Sequence, residues 1–341
     1  MAALTMPTLM IYGATGYTGR MAAEHAAAAG LDLVLGGRNR TRLAALAHEL
    51  GADHRTFDLD DDAAVETALS DITVVLNCAG PFMRTAKPLM EAAIRAHTHY
   101  LDVAAELDSY HLAEKLDSTA RDAGVLLLPG SGGSVAMLGC LAGHAAQLVN
   151  NPQHVHIALH VAGSMSRGSA LSATENLTTD CLQRLDGQLV PRNPDDRRDF
   201  DFGCGPTSCS ATTLPDLMTI WRATGIPNID TFVYVSGHAF PQGDIATLPE
   251  GPSAEQRTAD RYHAAVEVTG ADGAVARSVL DTVNGYTFTP LAAAEAAGRV
   301  LRGEHQPGFH TPAALFGTSF AETIADTRIT DLQAGASVPA R

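Results

Sequence analysis

Two stretches of this chain carry residues whose types and spacing suit chemistry. The first, His99-Tyr100-Leu-Asp102-Val-Ala-Ala-Glu106, sets four titratable side chains close together, groups of the kind that give or take a proton in general acid-base catalysis. The second, Thr8-Leu-Met-Ile-Tyr-Gly13-Ala-Thr15-Gly16-Tyr17-Thr18-Gly19-Arg20, breaks an apolar run with glycines spaced three apart. That spacing makes a phosphate cradle. Gly13 allows the tight turn, Gly16 lets the backbone approach a pyrophosphate, and Gly19 lets the following helix pack close to the strand. The phosphate then rests on the exposed N–H groups of the first helical turn. A second apolar run ends in Gly36-Gly37-Arg38-Asn39-Arg40. At this tip of a dinucleotide fold an acid grips the adenosine 2′-hydroxyl, whereas an arginine accommodates a 2′-phosphate. The tip has no acid and presents Arg38, so NADP(H) is the expected cofactor. Arg42 reads as well as part of a solvated basic loop.

These residues need elements to hold them. The apolar runs at 8–12, 32–35, 55–60, 73–76 and 125–128 read as strands, as does the stretch from His99 up to Glu106. Helices at about 20–29, 41–50, 61–70, 88–97 and 109–123 alternate with them, the pattern of a doubly wound parallel sheet. Ligands of such sheets bind at the carboxyl ends of the strands. Asn77-Cys-Ala79-Gly80-Pro81-Phe82 follows the fourth strand and is expected beside the nicotinamide half of the cofactor. Asp58, at the end of the third, either accepts from the adenine amino group or caps a helix. Along the fifth strand Tyr100 and Asp102 share one face and His99 takes the other. Glu106 lies just past the strand end and is the first choice of proton donor; the competing reading has Asp102 and Glu106 capping the next helix or forming a buried pair.

From Asn150 the pattern changes. His154-Val-His156-Ile-Ala-Leu-His160-Val161 alternates strictly, with histidines on the face opposite the branched residues. Such a face can ligate metal or be the wetter side of a half-covered sheet; the second reading is taken, and no metal is expected. Ser166-Arg167-Gly168 opens a helix expected to reach about Asp186, with Arg167 at its anion-friendly end. The charge run Asp195–Asp199 reads as a solvated loop, and 239–259 as a lid or a plain connection. Residues 262–268 and 274–280 form a hairpin, and Thr289-Pro290 starts a final helix to about Arg302. The expected organisation is a nucleotide-binding domain at 1–130, a second domain at 131–285, and a C-terminal segment, 286–341, returning to the first.

Composition narrows the partners. The 341 residues include 38 acidic and 23 basic side chains, a net charge of -15, which disfavours nucleic acid and anionic membranes. Five scattered cysteines point to a reducing cytoplasm. No apolar stretch reaches the roughly 20 residues of a membrane span, and the first apolar run leads into the glycine turn as a strand, not as a signal peptide. A small-molecule substrate and a homodimeric assembly are expected.

The motifs Gly13–Arg20, Gly37-Arg38, Asn77–Phe82 and His99–Glu106, with Ser166-Arg-Gly168, Thr224-Gly-Ile-Pro-Asn-Ile229, Gly308-Phe-His-Thr-Pro312 and Phe316-Gly317, resemble the saccharopine dehydrogenase-like oxidoreductases in their shorter bacterial form. The resemblance covers nearly the whole chain. It implies an α/β protein with an N-terminal NADP-binding Rossmann domain and a second α/β domain built on a largely antiparallel sheet. It also implies hydride transfer, as in saccharopine reduction or in the similar trans-acting enoyl reductases. One loop departs from the family pattern: Gly132-Gly-Ser134-Val-Ala-Met-Leu-Gly139 stands where the family usually has Gly-Phe-Asp and a later proline. A C=N substrate of the amino acid type would use Arg84 and Arg167 for its carboxylates and is favoured on the resemblance. An enoyl substrate would use a greasy pocket including Phe82, Met83, Met137 and Met165. The altered loop motivates a third reading, an NADP-binding regulator without chemistry.

Overall fold

In a computed structural model the described residues are 7–175, 180–237, 244 and 247–332. The first half alternates strand and helix: β1 (Thr8–Tyr12), α1 (Tyr17–Ala28), β2 (Asp32–Gly37), α2 (Arg40–Leu50), β3 (Asp53–Thr56), α3 (Asp62–Leu69), β4 (Val74–Asn77), α4 (Phe82–Arg95), β5 (His99–Asp102), α5 (Leu107–Lys115), α6 (Asp117–Asp122) and β6 (Leu126–Leu128). The second half continues with α7 (Gly133–Ala146), β7 (Pro152–Ala162), α8 (Arg167–Glu175), β8 (Leu182–Leu185), β9 (Gln188–Pro191), β10 (Arg197–Asp201), β11 (Pro206–Ala211), α9 (Asp216–Thr224), β12 (Asn228–Ser236), α10 (Ala254–Ala259), β13 (Tyr262–Gly270), β14 (Val275–Thr282), α11 (Gly285–Leu301), β15 (Gly308–Phe309), α12 (Pro312–Phe316) and β16 (Arg328–Asp331).

The first sheet is parallel throughout, in the order β3-β2-β1-β4-β5-β6-β15. This is the doubly wound order whose reversal between β1 and β4 opens a crevice for a dinucleotide. Its central strands are apolar on both faces because helices cover both: α1, α2 and α11 supply one layer, α3 to α5 the other. The second sheet runs β10-β11-β12-β7-β13-β14-β16, with β8 and β9 attached at β12. It is antiparallel except for the β12–β7 pair. Its alternation is that of a one-sided sheet: Val155, Ile157 and Leu159 of β7 turn to the buried helix α7, and the histidines turn away. Helix α7 also packs on α11, so one continuous apolar cluster joins the two sheets. The segment after residue 285 visits both, adding β15 to the first sheet and β16 to the second.

Four local expectations change. The helix expected at 109–123 is two, α5 and α6; the Asp117 carboxylate that opens α6 takes the Phe309 N–H at 2.7 Å and the Arg222 guanidinium at 2.9 Å. Of the helix expected from 166 to about 186, Arg167–Glu175 is helical; 176–179 lie outside the described residues, and 182–191 form a hairpin instead. Asp186 and Gly187 both have positive φ, 48° and 79°, so the chain reverses on a tight Asp-Gly turn. The charge run is not a solvated loop, because Arg198 lies within β10 and pairs with Glu267 of β13 at 2.5 Å. Helix α11 begins a turn earlier than Thr289, at Gly285, with the Asn284 side chain accepting from the Tyr286 N–H at 3.0 Å. Among the described residues no helix is long and apolar enough to cross a membrane.

Candidate functional site

A cleft of about 1280 Å³ runs along the carboxyl edge of the first sheet and under the second. That exceeds the usual ligand cleft of about 300–1,000 Å³ and leaves room for a dinucleotide with an acceptor. Gly13 closes the β1 turn at φ +80°, and a Cβ there would meet the Ala79 nitrogen at 2.8 Å. A Cβ on Gly19 would run into the Gly13 carbonyl, which is why α1 can pack on this turn only as glycine. Gly16 caps α1 without a side-chain hydrogen bond, so the first-turn N–H groups stay available to an anion. Thr15, Tyr17, Thr18, Ala79 and Gly80 line the same cleft; Gly19, Asn77 and Pro81 do not. Asn77 is fully buried and bonds the Ala79 N–H, Thr85 and Tyr100, fixing the loop from behind.

At the β2 tip, Arg38, Asn39, Arg40 and Arg42 line the cleft. The Asn39 side chain caps α2 through the Arg42 N–H at 3.0 Å. The Arg38 and Arg40 side chains make no hydrogen bond or ion pair among the described residues, although Arg38 acts electrostatically on Tyr12. Arg42 donates to the Thr15 carbonyl at 2.9 Å. Asp58 is exposed, accepts from the Asp60 N–H and lies off the cleft.

The acid-base candidates separate. Glu106 alone of the group lines the cleft. It is buried, one oxygen accepting from the Phe82 N–H at 3.3 Å and the other from the Ala105 N–H at 3.0 Å. Asp102 is 0 % exposed and ties loops together: it accepts from the Ala104 and Gly130 N–H groups and from the Tyr100 hydroxyl at 2.8–2.9 Å. Burial pushes its carboxyl up to about 6 against those bonds, and the same burial raises Tyr100 well above its ordinary range. Neither reaches the cleft. His99 starts β5, at the opposite edge of the sheet, where its Nδ1 accepts from the Leu126 N–H and its ring meets His305; burial and His305 bring it down to about 4. His99, Tyr100 and Asp102 do not line this cleft, and Asp102 and Tyr100 hold the loops behind it.

The acceptor half of the cleft is apolar with hydroxyls. Phe82, Met137, Leu159, Val161, Met165 and Leu214 supply the walls. Tyr286, at the α11 N-terminus, bonds the Ser169 hydroxyl at 2.9 Å and receives the Ser166 N–H at 2.8 Å, while Ser166 bonds Ser169 at 3.0 Å. Arg167 lines the cleft, but its guanidinium is turned onto the Leu248 carbonyl. Arg84 is exposed on α4, as is Met83, and neither lines the cleft. Gly132 of the altered loop has a packing reason: a Cβ there would stand 2.5 Å from the Thr289 carbonyl oxygen. Tyr286 was missed by placing the α11 start too late; Asn284-Gly285 was the available capping signal.

Part of the segment read as lid or connection, 239–243 and 245–246, lies outside the described residues. Beyond it the chain crosses the cleft. The Tyr17 hydroxyl donates to the Pro252 carbonyl, Arg257 donates to the Tyr17 hydroxyl at 2.6 Å, and Glu250 pairs with Arg42 at 3.4 Å. The Tyr17 and Tyr286 rings meet edge-on at 5.7 Å.

On the outer face of the second sheet His154, His156 and Asp230 bring ligand atoms together. The Asp230 Oδ2 bonds His154 at 2.6 Å and lies 3.3 Å from His156, while its Oδ1 takes Arg192 at 3.2 Å. Burial opposes the charge on Asp230, but these partners hold its carboxyl below the ordinary range. Arg192 already meets the carboxylate, while the His156 Nδ1 and the Arg192 Nε are buried without a hydrogen-bond partner among the described residues.

Residues 9–128 match the saccharopine dehydrogenase NADP binding domain, and NADP is the cofactor such a region binds. The chain is 32 % identical over 127 residues to a trans-acting enoyl reductase of Mycobacterium tuberculosis and 31 % identical to one of Mycobacterium ulcerans, matches covering 33 % of this chain and 30 % of each relative. It thus spans under a third of the curated relatives' length. Over 96 % of this chain the fold follows the whole of an apo saccharopine dehydrogenase (L-Glu forming) from Saccharomyces cerevisiae, with a TM-score of 0.65 at 13 % identity. The chain thus joins an NADP-binding region over residues 9–128 to a fold like that of saccharopine dehydrogenase.

Proposed function

We propose that this protein reduces the carbon–carbon double bond of a neutral α,β-unsaturated acyl substrate. One observation carries the reading. Among the described residues, the acceptor half of the cleft presents no uncommitted cation: Arg167 is bound to the Leu248 carbonyl, and Arg84 lies elsewhere. An imino dicarboxylate would bring charges that need arginine forks, so the C=N chemistry favoured by the resemblance lacks its binding groups here. Apolar walls with a few hydroxyls suit an acyl chain and its carbonyl. The enoyl reductase names of the curated relatives agree, within the shared N-terminal region.

The cofactor, when bound, supplies a hydride. The glycine turn and the α1 N-terminus would hold its pyrophosphate, and Arg38 its 2′-phosphate. In this reading the Tyr286 and Ser169 hydroxyls donate to the substrate carbonyl, stabilising the charge that collects on its oxygen as the β-carbon is reduced. Tyr286, which donates to Ser169, then supplies the α-carbon proton through the Ser169 hydroxyl, and the tyrosinate left behind is reprotonated from solvent. Glu106 acts as an acceptor, its oxygens holding the Phe82 and Ala105 N–H groups beside the nicotinamide half. A small-molecule acceptor, a cytoplasmic setting consistent with five free thiols, and a homodimer belong to the same reading. The test is single-turnover oxidation of NADPH with matched enoyl thioesters and imino dicarboxylates. Turnover with the thioesters supports it; turnover confined to the imines overturns it.

A further inference from the structure

We propose that Glu250, reaching across from the second domain, is a cofactor-specificity residue: its carboxylate holds Arg42 in place of the adenosine 2′-phosphate and yields to that phosphate when NADP(H) binds. The inference rests on the NADP assignment of the cleft, and three observations carry it.

The first is that Arg42 is presented rather than free. Its guanidinium is fixed by the Thr15 carbonyl at 2.9 Å, on the glycine turn itself, and Glu250 meets the same Nη2 at 3.4 Å. The second is that the Glu250 backbone is held from both sides. Its carbonyl accepts from the Arg167 N–H at 3.2 Å, Leu248 is gripped by the Arg167 guanidinium, and Pro252 is held by Tyr17 and Arg257. Gly251 lies so close to the Tyr17 ring that a Cβ there would stand 2.5 Å from it. The carboxylate is therefore delivered to Arg42 by an anchored strap.

The third is the company it keeps. Arg38, Arg40, Arg42 and Glu250 all line one cleft, and Arg38 makes no ion pair or hydrogen bond among the described residues. A lone carboxylate beside this arginine group is a monoanion where a phosphate brings nearly two charges and more acceptor oxygens. The Arg42–Glu250 pair is more than half exposed on both sides, the type of ion pair that contributes little and exchanges readily. NADH has no 2′-phosphate and leaves the pair in place. NADPH breaks it, and Glu250 then stands as a like charge beside the bound phosphate.

Glu250→Gln keeps the shape and removes the charge. Coulomb repulsion between a carboxylate and a phosphate dianion at several ångströms in a wet site predicts NADPH binding about three- to tenfold tighter at low ionic strength. The gain shrinks in 0.5 M salt, and NADH binding stays within about twofold. Arg42→Ala should weaken NADPH, and Glu250→Gln should still tighten it in that background, because the carboxylate–phosphate repulsion does not pass through Arg42. The readout is fluorescence titration of NADPH and NADH against each variant. Weaker NADPH binding in Glu250→Gln, or an equal change for both cofactors, overturns the inference. A wild-type protein that fails to prefer NADPH would instead bring down the cofactor assignment on which it rests.

Discussion

Gly19→Ala adds one methyl group where α1 crosses the β1 turn. On helix propensity alone the change stabilises by up to about 1 kcal/mol. The added Cβ, however, would run into the Gly13 carbonyl oxygen and stand 2.9 Å from the Gly13 carbonyl carbon and 3.1 Å from the Ala14 Cα. All three are backbone atoms, so no side chain can swing aside. Overpacking of this kind costs about 1–3 kcal/mol, and the expected net loss is about 1–2 kcal/mol. The same shift moves the first-turn N–H groups away from the pyrophosphate, so NADPH affinity should fall at least about tenfold, or about 1.4 kcal/mol. Gly30→Ala is the internal control: it sits at φ +72° with nothing within 4 Å of a new Cβ. It should cost only about 1 kcal/mol for the left-handed backbone and leave NADPH binding unchanged. Urea midpoints at constant slope and NADPH fluorescence titration read both effects. A Gly19→Ala protein at least as stable as wild type, with undiminished NADPH affinity, would refute the close-packed cradle.

Arg38→Ala should cost NADPH about 1.5–3 kcal/mol, the value of a hydrogen bond to a charged group, and barely touch NADH; equal loss for both would take Arg38 off the 2′-phosphate. Tyr286→Phe should slow turnover with an enoyl thioester by about tenfold or more while NADPH binding stays intact, and Glu106→Gln should slow it less; the reverse order would return the proton to Glu106. Asp216 is fully buried, neither oxygen has a partner among the described residues, and burial pushes its carboxyl up to about 7. The folded state disfavours its charged form, so its stability contribution is whole below about pH 4 and lost as pH rises through about 7. Asp216→Asn should be nearly neutral at pH 4 and stabilise by a few kcal/mol at pH 8; urea unfolding at both values checks it, and an equal effect at both would refute it.

The cofactor half of this site could be read from the chain because it is local. Gly13 to Gly19 and Arg38 each lie at a strand end, and the strand-helix alternation that positions them is a short-range pattern. The acceptor half is assembled over long separations: Tyr286 meets Ser169 and Tyr17, and Glu250 meets Arg42, contacts that no spacing in the sequence announces. Residue type alone does not place His99, Tyr100 and Asp102, because a titratable group in a strand looks the same whether it faces a cleft or knots two loops together inside the sheet. The Asp186-Gly187 hairpin and the Asn284 cap were legible signals, outweighed by the apparent helical run before Gly187 and by the Thr289-Pro290 pair.

The most direct test tracks the hydride itself. In a single turnover with NADPH deuterated at the nicotinamide C4 position and an α,β-unsaturated thioester, the account predicts deuterium at the product β-carbon, read by mass spectrometry and NMR. A label that stays on the cofactor with every thioester, yet appears on the carbon of a reduced imine, would contradict it.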